Sequence, residues 1–192
     1  MRFLSGFFLI TLFYSIQAGA FEKKNISFEN ESNNKKRVEF VFLGEIFSPP
    51  LNLFSKKEVK KNEIRQFFDF FKKLYDVNKN GTKKDILLLW SPLERLQLEK
   101  EIDIKAFEQN KERFNAISAM QLKMIIEYGD YYICYVNTEF VTGDNVVMKY
   151  PVMKIKGNLF LSNKLNGDYF YDVISHYLDK ENFSSILNKT IK

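Results

Sequence analysis

The spacing of apolar residues changes once along this chain, near Ser118, and that change constrains the fold more than any other feature. Before Ser118, apolar residues recur three and four positions apart, which is the period of an amphipathic helix. After it they alternate with other residues, which is the period of a strand with one inner face. Helices followed by strands joined by tight turns predict an α+β domain, in which N-terminal helices pack on a curved antiparallel sheet and a helix follows at the C-terminus.

The clearest helix is predicted from about residue 58 to residue 77. Its apolar stripe consists of Ile64, Phe67, Phe68, Phe71, Leu74 and Tyr75. An Asn-Gly break follows, and we expect Gly81 to end the helix in the left-handed conformation.

Three shorter helices complete the helical half. They are predicted over residues 84–90, from Ser91 onward, and over residues 104–115. For the middle one, Ser91 is the expected cap, Pro92 takes the first turn, and Glu94 is expected to complete a capping box with Ser91.

One strand is predicted before the helices and four after them. Residues 38–43 are rich in strand-forming types, and we expect the prolines of residues 48–50 to end that strand. The later strands are predicted over residues 121–128, 131–141, 146–156 and 159–165. Pro151 interrupts the third of these and predicts an edge position or a bulge. The last helix is predicted from about Asp168, with the buried stripe Phe170, Ile174, Tyr177 and Leu178.

The length of 192 residues suits a single domain, which we predict over residues 38–192. A hydrophobic share of 45% excludes an intrinsically disordered chain. Residues 21–37 are polar and show no periodicity, so a flexible N-terminal tail is predicted there.

Residues 1–20 have the pattern of a secretory signal peptide. Arg2 precedes a mostly apolar run over residues 3–16, and small residues occupy positions 18–20. We predict cleavage after Ala20 and a secreted or periplasmic protein. The run of about 14 residues is shorter than the roughly 20 that span a bilayer, and no later stretch approaches that length, so no transmembrane span is expected after cleavage. A membrane anchor that stays attached is the alternative.

Charge and titratable residues exclude several classes of function. The chain has 29 Lys and Arg against 24 Asp and Glu, and its cations are mostly lysines interleaved with acids, so no nucleic-acid partner is expected. Cys134 is the sole cysteine and lies in an apolar run, which predicts a buried thiol. Residues 76–81 match the start of a calcium loop, but Leu87 stands where the closing glutamate is needed. His176 is the sole histidine, and neither a metal nor a cofactor is predicted.

Alternation divides the second long strand into two faces. The face toward the helices is predicted to carry Tyr132, Cys134, Val136 and Phe140. The opposite face carries Tyr131, Ile133 and Tyr135, which form a candidate interface for a homodimer or an envelope protein partner. Cover by the N-terminal strand or the C-terminal helix is the equally weighted alternative.

This order of elements resembles the nuclear transport factor 2-like superfamily, a cone-shaped α+β fold. Residues 64–90 resemble its long first helix, Asn-Gly break and short second helix, while residues 128–132 resemble its strand–turn–strand and residues 153–168 its closing hairpin. The likeness spans about residues 58–178. It implies a conical pocket between the helices and the concave sheet. The pocket candidates are Trp90, Met124, Tyr128, Tyr132 and Phe140.

These pocket positions carry neither an acid nor a histidine, so proton transfer lacks a suitable titratable group. We therefore assign no catalytic residue and expect an exported, non-catalytic domain that holds a small apolar ligand or docks a protein partner. Two alternatives stay open. One is an enzyme acting on an apolar small molecule, for which a register shift of one residue would turn Glu127 or Glu139 inward. The other is a subunit of a cell-envelope assembly.

Overall fold

A computed structural model describes residues 21–30, 36–55 and 59–172, which form an α+β arrangement around one antiparallel sheet. The strands are β1 (Glu22–Asn30), β2 (Lys36–Asn52), β3 (Ile117–Tyr128), β4 (Tyr131–Phe140), β5 (Asn145–Ile155) and β6 (Asn158–Leu161). The helices are α1 (Asn62–Asn80), α2 (Lys83–Leu87), α3 (Pro92–Glu101) and α4 (Ile104–Asn115). Each strand pairs antiparallel with the next, in the order β1-β2-β3-β4-β5-β6. The predicted α+β class is confirmed, with the four helices inserted between β2 and β3.

The main core lies between α1 and one face of the sheet. The predicted stripe of α1 is confirmed, since Ile64, Phe67, Phe71 and Leu74 are all buried there. They pack with sheet residues such as Leu122, and the large aromatic rings supply most of the volume that this interface excludes from water.

The segment predicted as a flexible tail is instead ordered by the sheet. β1 pairs with β2 from Glu22 opposite Gly44 to Asn30 opposite Lys36. Just before β1, Phe21 is only 5% exposed and packs in the main core. The polar composition was misleading because β1 is an edge strand, where charged side chains in solvent are common.

β2 also continues past the prolines that were expected to end it. Its pairing with β3 is interrupted between Ile46 and Leu51 and then resumes at Leu51 opposite Leu122. Pro49 and Pro50 lie in the interruption, where no ladder hydrogen bond is required of them. The Ser48–Pro49 peptide bond is cis.

The end of α1 differs in detail from the prediction. Gly81 follows α1 with φ −80°, so it is not left-handed. A glycine is needed for a different reason, because an added Cβ would lie 2.5 Å from the carbonyl oxygen of Val77. The next helix begins with a complete capping box between Thr82 and Asp85.

The capping box predicted for Ser91 and Glu94 does not form. The Ser91 hydroxyl donates to the Glu94 carboxylate rather than accepting from the backbone. Glu94 is buried, and its other carboxylate oxygen accepts from the backbone N–H of Asn163 at 2.6 Å. This carboxylate therefore fastens the start of α3 to the segment that follows β6.

A bulge in β3 reverses the predicted inner face of that strand. Leu122 pairs with Val136 and Met124 pairs with Tyr135, so Lys123 is an extra residue on β3. Beyond it, Ile125 faces the helices, whereas Met124, Ile126 and Tyr128 belong to a cluster on the opposite face. The prediction that Met124 and Tyr128 face a pocket beside the helices is therefore wrong, because one inserted residue exchanges the two faces.

The faces of β4 are confirmed. Tyr132, Cys134, Val136 and Phe140 lie on the helix side, and Tyr131, Ile133 and Tyr135 lie on the other. Pro151 lies in β5 opposite Ile133, one residue before the pairing of β5 with β6 begins at Val152. Its missing N–H falls just outside that ladder, but β5 lies between β4 and β6 and keeps an unbroken register with β4, so the predicted edge position or bulge is wrong.

The last predicted helix begins as expected. Residues 169–172 are helical, and the backbone N–H of Tyr171 donates to the Asp168 carboxylate at 2.9 Å. The rest of that helix, with Ile174, Tyr177 and Leu178, lies outside the described residues, as does the predicted signal peptide over residues 1–20. Within the described ranges, no helix has the length and apolar character that crossing a bilayer requires.

Candidate functional site

A cavity of about 390 Å³ opens between the helices and the β5–β6 end of the sheet. Helices α1, α2 and α4 form one side, and β5 and β6 form the other. Its walls are Leu74, Asn78, Ile86, Leu89, Trp90, Ile102, Ala106, Phe107, Asn110, Arg113, Phe114, Met148, Tyr150 and Leu161. The volume falls within the range of about 300–1,000 Å³ that is usual for small-molecule sites.

The floor of the cavity is apolar and belongs to the main core. Leu74, Leu89, Phe114 and Leu161 are all buried. β6 is held against the helices here, since the backbone N–H of Leu161 donates to the carbonyl of Leu89 at 2.8 Å. A ligand that rests on this floor would gain by removing apolar surface from water.

Two amides join α1 and α4 beside this floor. Asn78 is buried in the last turn of α1, where its side-chain N–H donates to the Leu74 carbonyl at 2.7 Å. Its carbonyl oxygen accepts from the side chain of Asn110 at 2.6 Å. The pair fixes the separation of the two helices at the cavity.

Tyr150 places a hydroxyl in the opposite wall. The hydroxyl donates to the sulfur of Met148 at 3.0 Å, and a thioether is a weak acceptor. Burial raises the pKa of Tyr150 to about 12, although the nearby Arg113 charge opposes the shift. The group is therefore a protonated donor at neutral pH.

Arg113 supplies a cation at the rim, in the last turn of α4. Its guanidinium lies 6.0 Å from the centre of the Phe140 ring. Among the described wall residues none is an acid, so the cavity presents hydrogen-bond donors and one positive charge around an apolar floor.

This arrangement suits binding more than proton transfer. A general base must accept a proton near neutral pH, and the described wall residues include neither a carboxylate nor a histidine that could do so. The glutamates considered for a register shift lie elsewhere. Glu127 is near Tyr132, where burial first and then the Glu127 charge raise the pKa of the tyrosine hydroxyl. Neither Glu127 nor Glu139 lines the cavity.

No family model, curated protein or solved structure matches the chain. The site is therefore interpreted from its own geometry.

Of the five predicted pocket residues, the structure places Trp90 in the cavity wall. Tyr132 and Phe140 are on the helix side of the sheet but do not line the cavity. The ring of Tyr132 packs between Phe21 and Phe67, with centroids 5.8 Å and 4.9 Å away. Phe140 supports the guanidinium at the rim.

The other two predicted pocket residues are on the wrong face. Met124 is fully buried in the opposite cluster. Tyr128 stacks on Phe170 at 4.7 Å and donates to the Asp168 carboxylate, with 3.2 Å to each oxygen. Both were displaced by the bulge at Lys123, which no spacing rule applied to β3 alone could reveal.

The residues predicted as an interface are mostly inside the protein. Ile133 and Tyr135 have no exposed surface, and Tyr131 is half-buried. They cluster with Phe42 and Leu165. These positions do not form an exposed aromatic patch. The structure supports the alternative, in which other parts of the chain cover this face of the sheet.

Several residues of the cavity were missed from the sequence. Asn78 continues the spacing of the α1 stripe, four positions after Leu74, and this was a usable signal that its side chain faces the core. Arg113 and Tyr150 carry no such signal, because only the packing of α4 across β5 brings them together.

The remaining motifs do not form a second site. Residues 76–80 belong to α1, so the calcium-like pattern is helical and not a loop. In the described part of the chain, no group of His, Cys, Asp and Glu is arranged to hold a metal ion. Cys134 is fully buried as predicted, and burial raises the pKa of its thiol well above the ordinary value.

Proposed function

We propose that this protein is a non-catalytic binding protein that holds a small, mainly apolar molecule in the cavity between α1, α4 and β5. The observation that carries this proposal is the apolar floor of a cavity of about 390 Å³, bordered by donors and one cation. We also propose an exported protein, which rests on the signal-like pattern of residues 1–20.

The kinship with the nuclear transport factor 2-like superfamily stays part of this proposal. It is supported by helices packed on one face of an antiparallel sheet, with a cavity between the two layers. The N-terminal hairpin β1–β2 is an addition to the pattern quoted from the sequence. Because the fold hosts both binders and enzymes, the proposed function depends on the wall residues and not on this kinship.

Binding is measurable with a reporter that the chain already contains. Trp90 is the only tryptophan in the sequence and lines the cavity, so its fluorescence reports on that site without labelling. Titration with decanol, a neutral apolar ligand, is expected to give a saturable change in the Trp90 emission.

A matched pair of variants ties the signal to the cavity. Ala106 lines the mouth from an exposed position on α4, whereas Gln109 is exposed on the same helix and does not line it. Ala106→Phe is expected to weaken decanol binding about tenfold or more by filling the mouth, and Gln109→Phe to leave it unchanged. Absence of saturable binding, or equal binding by both variants, would contradict the proposal.

A further inference from the structure

The cation at the cavity rim is not matched by an acid. Arg113 makes no ion pair within the described residues, and its guanidinium faces the Phe140 ring instead. An arginine beside an apolar cavity is suited to a planar anion, which it holds through two parallel hydrogen bonds. The charge therefore selects for a ligand with a negative end.

Tyr150 adds a donor near the same place. Its bond to the Met148 sulfur uses a weak acceptor, so a carboxylate oxygen that reached the hydroxyl would replace it with a stronger one. Arg113 in the last turn of α4 and Tyr150 in β5 line the same cavity, so both face the space that a ligand head group would occupy.

The rest of the wall is suited to a hydrocarbon chain. From Arg113, the cavity extends along α4 to Ala106, which is about 10 Å at the helical rise of about 1.5 Å per residue. Apolar side chains of α2 and of the segment after it also line the cavity, among them Ile86 and Leu89. A single polar end and a long apolar end are the two features of an amphiphile.

We propose that the cavity binds a monocarboxylic acid with a medium-length unbranched chain, with the carboxylate between Arg113 and Tyr150 and the chain over the apolar floor. This inference rests on the proposed function and specifies its ligand class. Nothing is transformed in the process, since the acid is held and released unchanged.

The test compares three ligands that share a ten-carbon chain and differ in the charge of the head. Decanoate, decanol and decyltrimethylammonium are titrated against the full protein, with Trp90 emission and isothermal titration calorimetry as the two readouts. Decanoate is expected to bind about tenfold or more tightly than decanol, because a charge-assisted hydrogen bond outweighs a neutral one. The cationic ligand is expected to bind most weakly.

Variants then assign the preference to its residues. Arg113→Gln is expected to reduce the ratio of decanoate affinity to decanol affinity to about one, measured on the variant itself. Tyr150→Phe is expected to reduce the preference in part. Lys105→Gln is the matched control, since it removes one positive charge from an exposed position of α4 that does not line the cavity.

The outcomes separate this inference from the proposed function. Equal affinity for decanoate and decanol would overturn the carboxylate assignment and leave the apolar binding function standing. A decanoate preference that survives in Arg113→Gln would overturn the role of Arg113. Failure of all three ligands to bind would overturn both.

Discussion

Asn78 is a buried amide on the apolar face of α1, and its two hydrogen bonds explain how an amide is accommodated there. One bond is to the Leu74 carbonyl of its own helix and the other is to Asn110 of α4. A buried polar group without partners is costly, so the pair both satisfies the amide and specifies how α4 is placed.

Asn78→Ala is expected to lower the free energy of unfolding by about 2 kcal/mol, because the helix contact and the Asn110 partner are lost together. Urea unfolding followed by circular dichroism measures the loss. Asn80→Ala is the matched control, since Asn80 is exposed on the same helix. Equal losses in the two variants would show that the buried pair contributes nothing specific.

Because of Tyr150, the stability of the folded protein is expected to fall at alkaline pH. Its pKa in the folded protein, about 12, is above the ordinary value of 10, so the folded state retains the phenolic proton more strongly than the unfolded state. The stabilisation that comes from this difference in pKa is complete below pH 10 and is lost as the pH rises toward 12.

Between pH 10 and 12 we therefore expect the melting temperature to fall more steeply in the wild type than in Tyr150→Phe, which has no phenolic proton to lose. Differential scanning calorimetry across this range gives both slopes. Parallel slopes would indicate that Tyr150 titrates alike in the folded and unfolded states.

At the scale of elements, β1 is attached by the residue that precedes it as well as by its ladder. Phe21 contacts the rings of Phe67 and Tyr132, with centroid distances of 6.1 Å and 5.8 Å. Phe21→Ala is expected to cost about 3 kcal/mol in the free energy of unfolding, the range for a buried phenylalanine. Urea unfolding of the chain that begins at residue 21 tests this.

Lys23→Ala provides the control for that variant, since Lys23 is an exposed position of the same strand. If Phe21→Ala were no more destabilising than Lys23→Ala, the segment would behave as the tail that its composition predicts.

Helix α3 is bonded to its surroundings through the Glu94 carboxylate, whereas two of its leucines are exposed. Leu93 and Leu96 are 82% and 72% exposed, while Glu94 is buried and bonded to Ser91 and Asn163. Glu94→Ala is expected to cost about 2 kcal/mol, because the buried Ser91 hydroxyl and the backbone N–H of Asn163 both lose their acceptor. Leu96→Ala is expected to change stability by less than about 0.5 kcal/mol, as surface substitutions usually do.

Thermal unfolding of the two variants side by side gives the comparison. The opposite order, with the leucine variant less stable, would mean that α3 is covered by something that packs on its leucines.

At the scale of the whole molecule, periodicity predicted the class of the fold but not the position of the site. The stripe of α1 and the alternation in β4 are local patterns, so the helix and both faces of that strand could be derived from spacing. The face of β3 depends on a bulge at Lys123, and the tail became a strand through pairing with β2. Both are decided by partners distant in the sequence.

For the same reason, the sequence predicted only Trp90 among the residues that line the cavity. Trp90 was predicted from the family resemblance, in which residues 64–90 match the helices beside a conical pocket. Arg113 and Tyr150 come from α4 and β5, and their proximity is a property of packing that the spacing within either element does not contain.

The pairing of β2 with β3 also has a consequence for the order in which the chain can assemble. Leu43 pairs with Glu127, so these two neighbouring strands come from distant parts of the sequence. During synthesis from the N-terminus, the β1–β2 hairpin leaves the ribosome well before residue 117, and one long edge of β2 then has no partner. Such an edge recruits other strands. The nascent chain is therefore most vulnerable to aggregation while the helices are being made, and that interval ends when β3 emerges.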